Sequence, residues 1–254
     1  MKRLRLNSVC DGEPRSPHPL LPLLVSAMGV AAGVMVMALL SEGIRAAGSY
    51  GDGMTEKTVA VSPFHGVESS TAVEIVYTQS PRTEAVVLAP AGKIEGVNVK
   101  VDDGILKVWY SGANHMGRVM VKVSSPELDM VSLSSAAAFT ANGETVFAGN
   151  LDIRAVAAAS VSFGQLTARS VNVSVQSAAT VYILTLQADA VAVEATSAST
   201  AKIKGMNVGN VTANAMSAGE IVLSGRCASY SGSSESGGEV KVRGLIKASP
   251  TASL

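Results

Sequence analysis

The residues of this chain that could support nucleophilic catalysis are serines that recur at a fixed interval. Ser177, Ser197 and Ser217 lie 20 residues apart and would form a ladder of hydroxyl groups. A serine hydroxyl becomes a strong nucleophile only when a general base lies within hydrogen-bonding reach. No histidine or acidic residue recurs beside these serines, so we interpret them as structural residues.

Acidic residues offer a second kind of chemistry, because polysaccharide hydrolysis uses a pair of carboxylates. Two polar columns with an interval of 20 residues read Asp152, Asn172, Ala192, Thr212 and Arg154, Ser174, Glu194, Asn214. No acid follows another acid in either column. The sequence therefore favours a protein without enzymatic activity, and a polysaccharide-binding or polysaccharide-degrading protein is the alternative.

The sequence predicts no cofactor and no metal site. Its three histidines, His18, His65 and His115, are too few and too scattered for a zinc site. The HExxH, CxxC and Walker motifs are absent. We interpret His65 as a turn or surface residue and place His115 in a loop of turn-forming residues.

A few aromatic and basic residues could contact a ligand. Trp109 and Tyr110 are consecutive in a predicted strand, so one side chain should point outward. Tyr182 could offer a ring to a sugar, while Lys202 and Lys204 alternate with apolar residues and should be exposed. The formal net charge is zero and aromatic residues make up 4% of the chain, so nothing in the composition indicates nucleic-acid binding.

The elements that position these residues repeat every 20 residues from Val131 onward. The recurring apolar columns are Val131, Leu151, Val171, Val191, Val211, and Val161, Val181, Ala201, Ile221, Val240. Apolar residues alternate with polar ones inside each unit, which indicates half-buried strands. A short fixed period of such strands predicts an all-β fold, a right-handed parallel β-helix or solenoid with coils of about 20 residues.

Small residues mark a corner between the two strands of each coil. They begin at Ser135, Ala157, Ser177, Ser197, Ser217 and Ser236. We expect a sharp turn there, with room only for Ala, Ser or Gly above the neighbouring coil.

The chain before the repeats predicts an antiparallel β-meander that caps the solenoid. Its clearest signal is the Asp103-Gly104 pair between two alternating runs, which is typical of a hairpin. The predicted organisation is a signal peptide or signal anchor (1–46), a flexible linker (47–57), the cap (58–128), the solenoid (129–246) and a tail (247–254).

An apolar run of 21 residues, 20–40, follows an N-terminal segment that begins with the basic residues Lys2, Arg3 and Arg5. Its length would suffice to cross a bilayer, and the basic residues would stay in the cytoplasm. We expect export to the periplasm, the cell surface or the medium, with the run either cleaved as a signal peptide or retained as an anchor. If retained, it would be the only contact with the membrane, and an envelope sensor subunit becomes a further alternative.

Several motifs resemble one known family. They are the Phe64-His65-Gly66-Val67 opening, the Asp103-Gly104-Ile105-Leu106 hairpin and the small-residue corners. Together they resemble the putative auto-transporter adhesin, head GIN domain family, over residues 58–246. The resemblance implies a secreted or envelope all-β protein with no catalytic residues. We expect a non-enzymatic, adhesin-like or structural protein that binds an envelope or extracellular ligand, glycan or protein, and forms a homo-oligomer.

Overall fold

The computed structural model describes residues 46–50, 53–112 and 117–247. The apolar run 20–40 and His115 lie outside the described residues, as do Cys10 and His18. Within the described ranges, no helix is long and apolar enough to span a bilayer.

The described residues form seventeen strands and one short 3-10 helix, Ile94–Gly96. The strands before the regular repeats are β1 (Ala46–Tyr50), β2 (Met54–Val59), β3 (Gly66–Ser69), β4 (Glu74–Gln79), β5 (Glu84–Pro90), β6 (Val97–Asp102), β7 (Ile105–Tyr110) and β8 (Met120–Ser125). The strands of the repeats are β9 (Met130–Leu133), β10 (Ala138–Val146), β11 (Asn150–Val156), β12 (Ser160–Thr167), β13 (Ser170–Gln176), β14 (Thr180–Thr196), β15 (Thr200–Met216), β16 (Glu220–Glu235) and β17 (Glu239–Lys247).

The repeat strands stack in two parallel ladders, which confirms the predicted solenoid. The first ladder contains β9, β11, β13 and the second halves of β14, β15 and β16. The second ladder contains β10, β12, the first halves of β14, β15 and β16, and β17. One strand from each ladder makes a coil, so the chain winds through six successive turns after residue 129.

The 20-residue period of the sequence matches the pairing in both ladders, where most residues pair with the residue 20 positions further along the chain. Val171 pairs with Val191 and Val191 with Val211, and all three are buried. Each column of the sequence is therefore a row of side chains in the core, about 4.8 Å apart. One coil is a residue shorter: the pairing of β15 with β16 shifts beside Gly225, where a side chain would overlap the backbone of Met206.

Each corner consists of two consecutive exposed residues with positive φ, followed by a small residue that is buried in every corner except the last, where Gly238 is half-buried. Ser177 and Ala178 have φ of 54° and 61°, and Ala179 is 1% exposed. The corner residues continue the ladder, because the Ala178 N–H donates to the Ser197 carbonyl 3.1 Å away. Only the third residue must be small because it is buried. The first two residues have small side chains because a left-handed backbone conformation disfavours larger ones.

Antiparallel pairing is confined to the start of the described chain, as the sequence predicted. The pairs are β1 with β2, β2 with β5, β5 with β8, and β6 with β7. The remaining early strands differ from the expected meander: β3 and β4 pair in parallel with β7 and β8 on one side and with β9 and β10 on the other. The parallel ladder thus begins before residue 129.

The segment 47–57, expected to be a flexible linker, contains most of β1 and the first part of β2. Glycine-rich composition predicted a loop here, but Met54–Val59 finds a partner in β5. Such long-range pairing overrides a weak local preference.

Candidate functional site

An open groove lies on the outer surface of the first ladder. Its volume is about 560 Å³, within the range of ligand sites. The outward side chains of successive rungs line it, among them Asp152, Arg154, Asn172, Ser174, Glu194 and Asn214. We call this feature the polar groove.

The two polar columns of the sequence are the two rows of the groove. Asp152 pairs in register with Asn172, whose Nδ2 donates a 2.7 Å hydrogen bond to Asp152 Oδ1. In the second row Arg154 pairs with Ser174, and Ser174 with Glu194. The strand spacing of about 4.8 Å therefore separates each hydrogen-bonding group from the next.

Arg154 and Glu194 are exposed and lie on either side of Ser174. Their backbones are two rungs apart, about 10 Å at the strand spacing, and no ion pair joins the two side chains. Within the described residues neither charge has a hydrogen-bond or ion-pair partner. Both side chains are thus available to an incoming ligand.

A second cavity, of about 670 Å³, shares Met130 and Asp152 with the polar groove and extends it. It contains His65, whose Nδ1 lies 2.9 Å from the Asp129 carboxylate. The backbone fixes this pair, because the Asp129 N–H donates to the His65 carbonyl at 2.8 Å. Gly104 leaves room for the imidazole, since a side chain there would overlap the ring.

The His65–Asp129 pair was not predicted from the sequence. We expected a turn or surface histidine, and its side chain is indeed 53% exposed, but it is fixed by an acid 64 residues away. The pair alone does not make a catalytic site, because no nucleophile in the described chain hydrogen-bonds to His65. In the same ranges, no group of three His, Cys, Asp or Glu side chains could hold a metal ion.

The second ladder carries a basic patch on its outer surface, formed by Tyr182, Lys202, Lys204, Lys241 and Arg243. Tyr182 pairs in register with Lys202, and Lys204 Nζ lies 5.4 Å from the centre of the Tyr182 ring. This distance is typical of a cation–π contact. The structure therefore brings together three of the five residues that the sequence suggested as ligand contacts.

Within the described residues, Lys241 is the one cation of the patch that forms ion pairs. Its Nζ lies 2.7 Å from Glu220 and 2.9 Å from Glu239. The hydrogen bond from Lys241 lowers the pKa of Glu220, and the same contact raises the pKa of Lys241.

The other two suggested contact residues lie away from both surfaces. Trp109 and Tyr110 are half-buried at the end of β7. Trp109 lines a shallow depression of about 140 Å³ beside Glu68 and Lys107, whereas Tyr110 packs against the core. One ring thus faces outward, but it has no aromatic neighbour.

The corner residues form a continuous row along the edge of the solenoid. Ser135, Ala157, Ser177, Ser197, Ser217 and Ser236 all have φ between 49° and 56°. Among the described contacts, none of the hydroxyls of Ser177, Ser197 and Ser217 is hydrogen-bonded to a histidine or a carboxylate. Their conformation explains the row without assigning it any chemistry.

Several solved structures are similar to this chain, and the first of those given below supports the fold. A putative adhesin from Bacteroides fragilis is 20% identical, with a TM-score of 0.61, over 77% of this chain and 97% of that chain. A putative adhesin from Parabacteroides merdae is 17% identical, with a TM-score of 0.45, over 78% and 100% of the two chains. A putative lipid binding protein from Parabacteroides distasonis is 14% identical, with a TM-score of 0.42, over 76% and 98%.

The family comparison covers most of the sequence. No curated protein matches the chain. The model of the putative auto-transporter adhesin, head GIN domain, matches residues 63–254, which include all of the solenoid and both surfaces described above. The chain therefore belongs to the putative auto-transporter adhesin, head GIN domain family.

Proposed function

We propose that this protein is an exported, non-enzymatic binding protein of the cell envelope whose polar groove holds an extended glycan chain. The observation that carries the proposal is the row of hydrogen-bonding side chains repeated on successive rungs. The rung spacing of about 4.8 Å is close to the length of one sugar residue in an extended polysaccharide. Each rung can thus present a donor or acceptor to one sugar.

The unpartnered charges of the groove favour a hydroxyl-rich ligand. The Arg154 guanidinium offers several donors and the Glu194 carboxylate offers acceptors, and hydrogen bonds to charged groups are worth about 1.5–3 kcal/mol. Asn172, Ser174 and Asn214 add neutral partners between and beyond them. An open groove with shallow, repeated contacts would bind weakly at each rung and gain affinity from several rungs at once.

The test is binding of the purified protein to an array of neutral linear polysaccharides, followed by calorimetry with the best probe. Arg154→Ala/Glu194→Ala should reduce the affinity at least about tenfold, since two charge-assisted contacts are lost. Arg82→Ala/Glu84→Ala removes the same two residue types from an exposed site outside the groove and should bind like the unmodified protein. Equal affinity of the two double variants would refute the groove as the binding site.

The same experiment separates binding from catalysis. We expect the polysaccharide to keep its length after prolonged incubation with the protein. Shortened chains would support the alternative of a polysaccharide-degrading enzyme, with the His65–Asp129 pair at the end of the groove as the first residues to replace.

Export is the second part of the proposal and rests on the family and on the apolar run 20–40. Mass spectrometry of soluble, surface and membrane fractions from the native type of host should find a mature chain that starts close to Ala47. An intact N-terminus in the inner membrane would instead favour the anchored sensor subunit.

We also propose self-association through the last described rung. The second half of β16 (229–235) pairs on one side with β15, and Val242 of β17 is 41% exposed. Strand edges that, like this one, have no partner among the described residues readily pair with another chain. Sedimentation velocity should show a dimer that Val242→Lys weakens, and a monomer over the accessible concentration range would contradict the proposal.

A further inference from the structure

In the part of the chain that the structure describes, three cations of the basic patch form no ion pair, although Lys202 and Arg243 lie close enough to Glu220 to help Lys241 lower the pKa of its carboxyl. Lys202, Lys204 and Arg243 are exposed and, within the described residues, none of them lies in an ion pair. Two acids lie nearby, Glu220 and Glu239, and both are ion-paired with Lys241. The patch therefore carries an uncompensated positive charge on a chain whose formal net charge is zero.

The ladder sets the spacing of these cations. Lys202 pairs with Val222, and Val222 pairs with Lys241 on the next rung. Arg243 pairs with Ser224 on the rung that follows Lys204. Cations thus recur two rungs apart, about 10 Å, along the stacking direction.

The patch also has an apolar surface. The Tyr182 ring is half-exposed at one end of the row, with Lys204 beside it. Leu184 on the same strand is 47% exposed. An aromatic ring flanked by a cation can stack on a sugar while the cation contacts a charged substituent on it.

We propose that the basic patch is a second binding site, which takes a linear anionic polysaccharide lying along the stack. The ligand would carry carboxylate groups on alternate sugars or more densely, so that they meet the cations two rungs apart. The site is separate from the polar groove, because it lies on the other ladder, and its ligand differs in charge. A protein with both sites could link an anionic envelope polymer to a neutral glycan.

A lipid surface fits these observations less well. Stable attachment to a bilayer needs a broad apolar face or a lipid chain in addition to basic residues. Here the exposed apolar surface of the patch is Leu184 and part of Tyr182. Cations on two rungs about 10 Å apart, with the Tyr182 ring one rung before them, match a linear polymer along the stack better than the two-dimensional surface of a membrane.

The test uses polygalacturonate as the probe, with uncharged dextran of similar length for comparison. We expect the full chain to bind polygalacturonate at low ionic strength and to lose affinity steeply as salt is added, because salt screens exposed charges. Dextran should not compete at this site.

Variants locate the site. Lys202→Gln/Lys204→Gln/Arg243→Gln should raise the dissociation constant for polygalacturonate at least about tenfold, since each exposed contact contributes up to about 1 kcal/mol. Arg82→Gln/Lys93→Gln/Arg169→Gln removes three cations elsewhere on the surface and should change it less than about twofold. Tyr182→Phe should bind normally, whereas Tyr182→Ala should weaken binding.

Three outcomes would overturn the proposal. One is equal weakening by the two triple variants, which would indicate a nonspecific charge effect. Another is tight binding to vesicles containing phosphatidylglycerol without binding to polygalacturonate. The third is loss of polygalacturonate binding in Arg154→Ala/Glu194→Ala, which would place the anionic ligand in the polar groove. The single variant Arg243→Gln, at an exposed position, provides the same test if the triple variant unfolds.

Discussion

The hydroxyl of Ser199 donates a 2.8 Å hydrogen bond to the carbonyl of Val175 on the preceding rung. Ser199 is 1% exposed and occupies the third position of its corner. The equivalent position holds Ala179 one coil earlier and Gly219 one coil later. The inner side of the corner thus faces a backbone carbonyl at Ser199, where a hydroxyl reaches it, and at Gly219, where a Cβ would overlap the carbonyl of Ala195.

Gly219→Ala should be strongly destabilising. A Cβ at this position would overlap the carbonyl oxygen of Ala195, and backbone on both sides leaves little room for adjustment. We expect the free energy of unfolding to fall by about 2–3 kcal/mol, as for other overpacked sites. Urea denaturation followed by circular dichroism measures it.

Ser199→Ala is the matched control, since it removes one hydrogen bond at a position that already accommodates a Cβ. It should cost about 1 kcal/mol. A smaller loss for Gly219→Ala than for Ser199→Ala would mean that the coils can separate at the corner and that packing there is loose.

The exposed corner residues should respond in the opposite direction. Ala178 has a φ of 61°, in the left-handed region that costs a non-glycine residue about 1–2 kcal/mol. Ala178→Gly relieves this cost but increases the entropy of the unfolded chain, so we expect a net gain of about 0.5 kcal/mol. Thermal unfolding of the single variant measures the difference.

Ala179→Gly tests whether the gain at Ala178 arises from backbone conformation. Ala179 is buried and lacks a positive φ, so glycine there should destabilise the protein by about 1 kcal/mol. If both Ala178→Gly and Ala179→Gly stabilised the protein, crowding of side chains at the corner, and not the backbone conformation of Ala178, would explain the gain.

The 20-residue period predicted the solenoid because each column of the sequence becomes a row of the core, as in Val171, Val191 and Val211. The period also predicted the corners, although we expected limited space to explain every small residue there. The left-handed backbone explains the small side chain of Ala178, and limited space explains only that of Ala179. Local patterns could not show that β3 lies between β7 and β9, or that β4 lies between β8 and β10. That order depends on pairings between residues 39 to 64 positions apart in the sequence.

The two polar columns that line the groove were recognised in the sequence, but the only conclusion drawn from them was that they contain no paired acids. The sequence could not predict that these columns line a groove, because the alternation of polar and apolar residues shows which face a side chain is on and not the shape of that face. The His65–Asp129 contact joins residues from the ends of two distant segments, and no periodic signal connects them. By contrast, Tyr182 and Lys202 are one period apart, so their proximity followed directly from the repeat.

Glu220 and Lys241 should make stability depend on pH at both ends of the range. The pKa of Glu220 is lowered from its ordinary 4.5 by the hydrogen bond from Lys241, so its contribution is present above that value and is lost as pH falls through the lowered pKa. The pKa of Lys241 is raised from 10.5, so its contribution is lost as pH rises through the raised pKa. Thermal unfolding of Glu220→Gln should differ most from the unmodified protein near neutral pH.

The comparison at acidic pH checks this interpretation. Once the pH is below the lowered pKa of Glu220, its carboxyl is protonated and the two proteins should unfold at nearly the same temperature. A difference that persists unchanged into strong acid would show that the substitution acts through packing and not through charge.

Phe163, Phe139 and Tyr77 form an aromatic row where the early strands meet the regular coils. The ring centres of Phe139 and Phe163 are 5.3 Å apart, and those of Tyr77 and Phe139 are 5.8 Å apart. Phe163→Ala should cost about 3–5 kcal/mol because it leaves a large cavity in the core. Phe163→Leu fills most of the space and should cost considerably less, as chemical denaturation of the two variants can show.

Tyr77 combines packing with one specific hydrogen bond. Its hydroxyl donates to the Ser125 carbonyl at 2.9 Å, and burial raises the pKa of the phenol. Tyr77→Phe keeps the ring and should lose about 1 kcal/mol. An ultraviolet titration should show one tyrosine fewer ionising above pH 10, and an unchanged titration would mean that Tyr77 is accessible to solvent.

The His65–Asp129 pair should affect ligand binding more than folding. Both side chains are more than half exposed, and such ion pairs contribute about 0–1 kcal/mol to stability. If the glycan continues from the polar groove into the adjoining cavity, His65→Ala should lower its affinity severalfold while the unfolding temperature changes little. Asp103→Asn, in the nearby hairpin turn, serves as the control for a charge change outside the cavity.

The predicted role of His65 in binding can also be tested by measuring affinity for glycans of different chain lengths. The His65 variant should bind a short oligosaccharide, which fills only the central rungs around Ser174, as well as the unmodified protein does. Its defect should emerge only with longer chains that reach the cavity. Equal weakening at every length would mean that His65 acts by supporting the shape of the groove and does not contact the ligand.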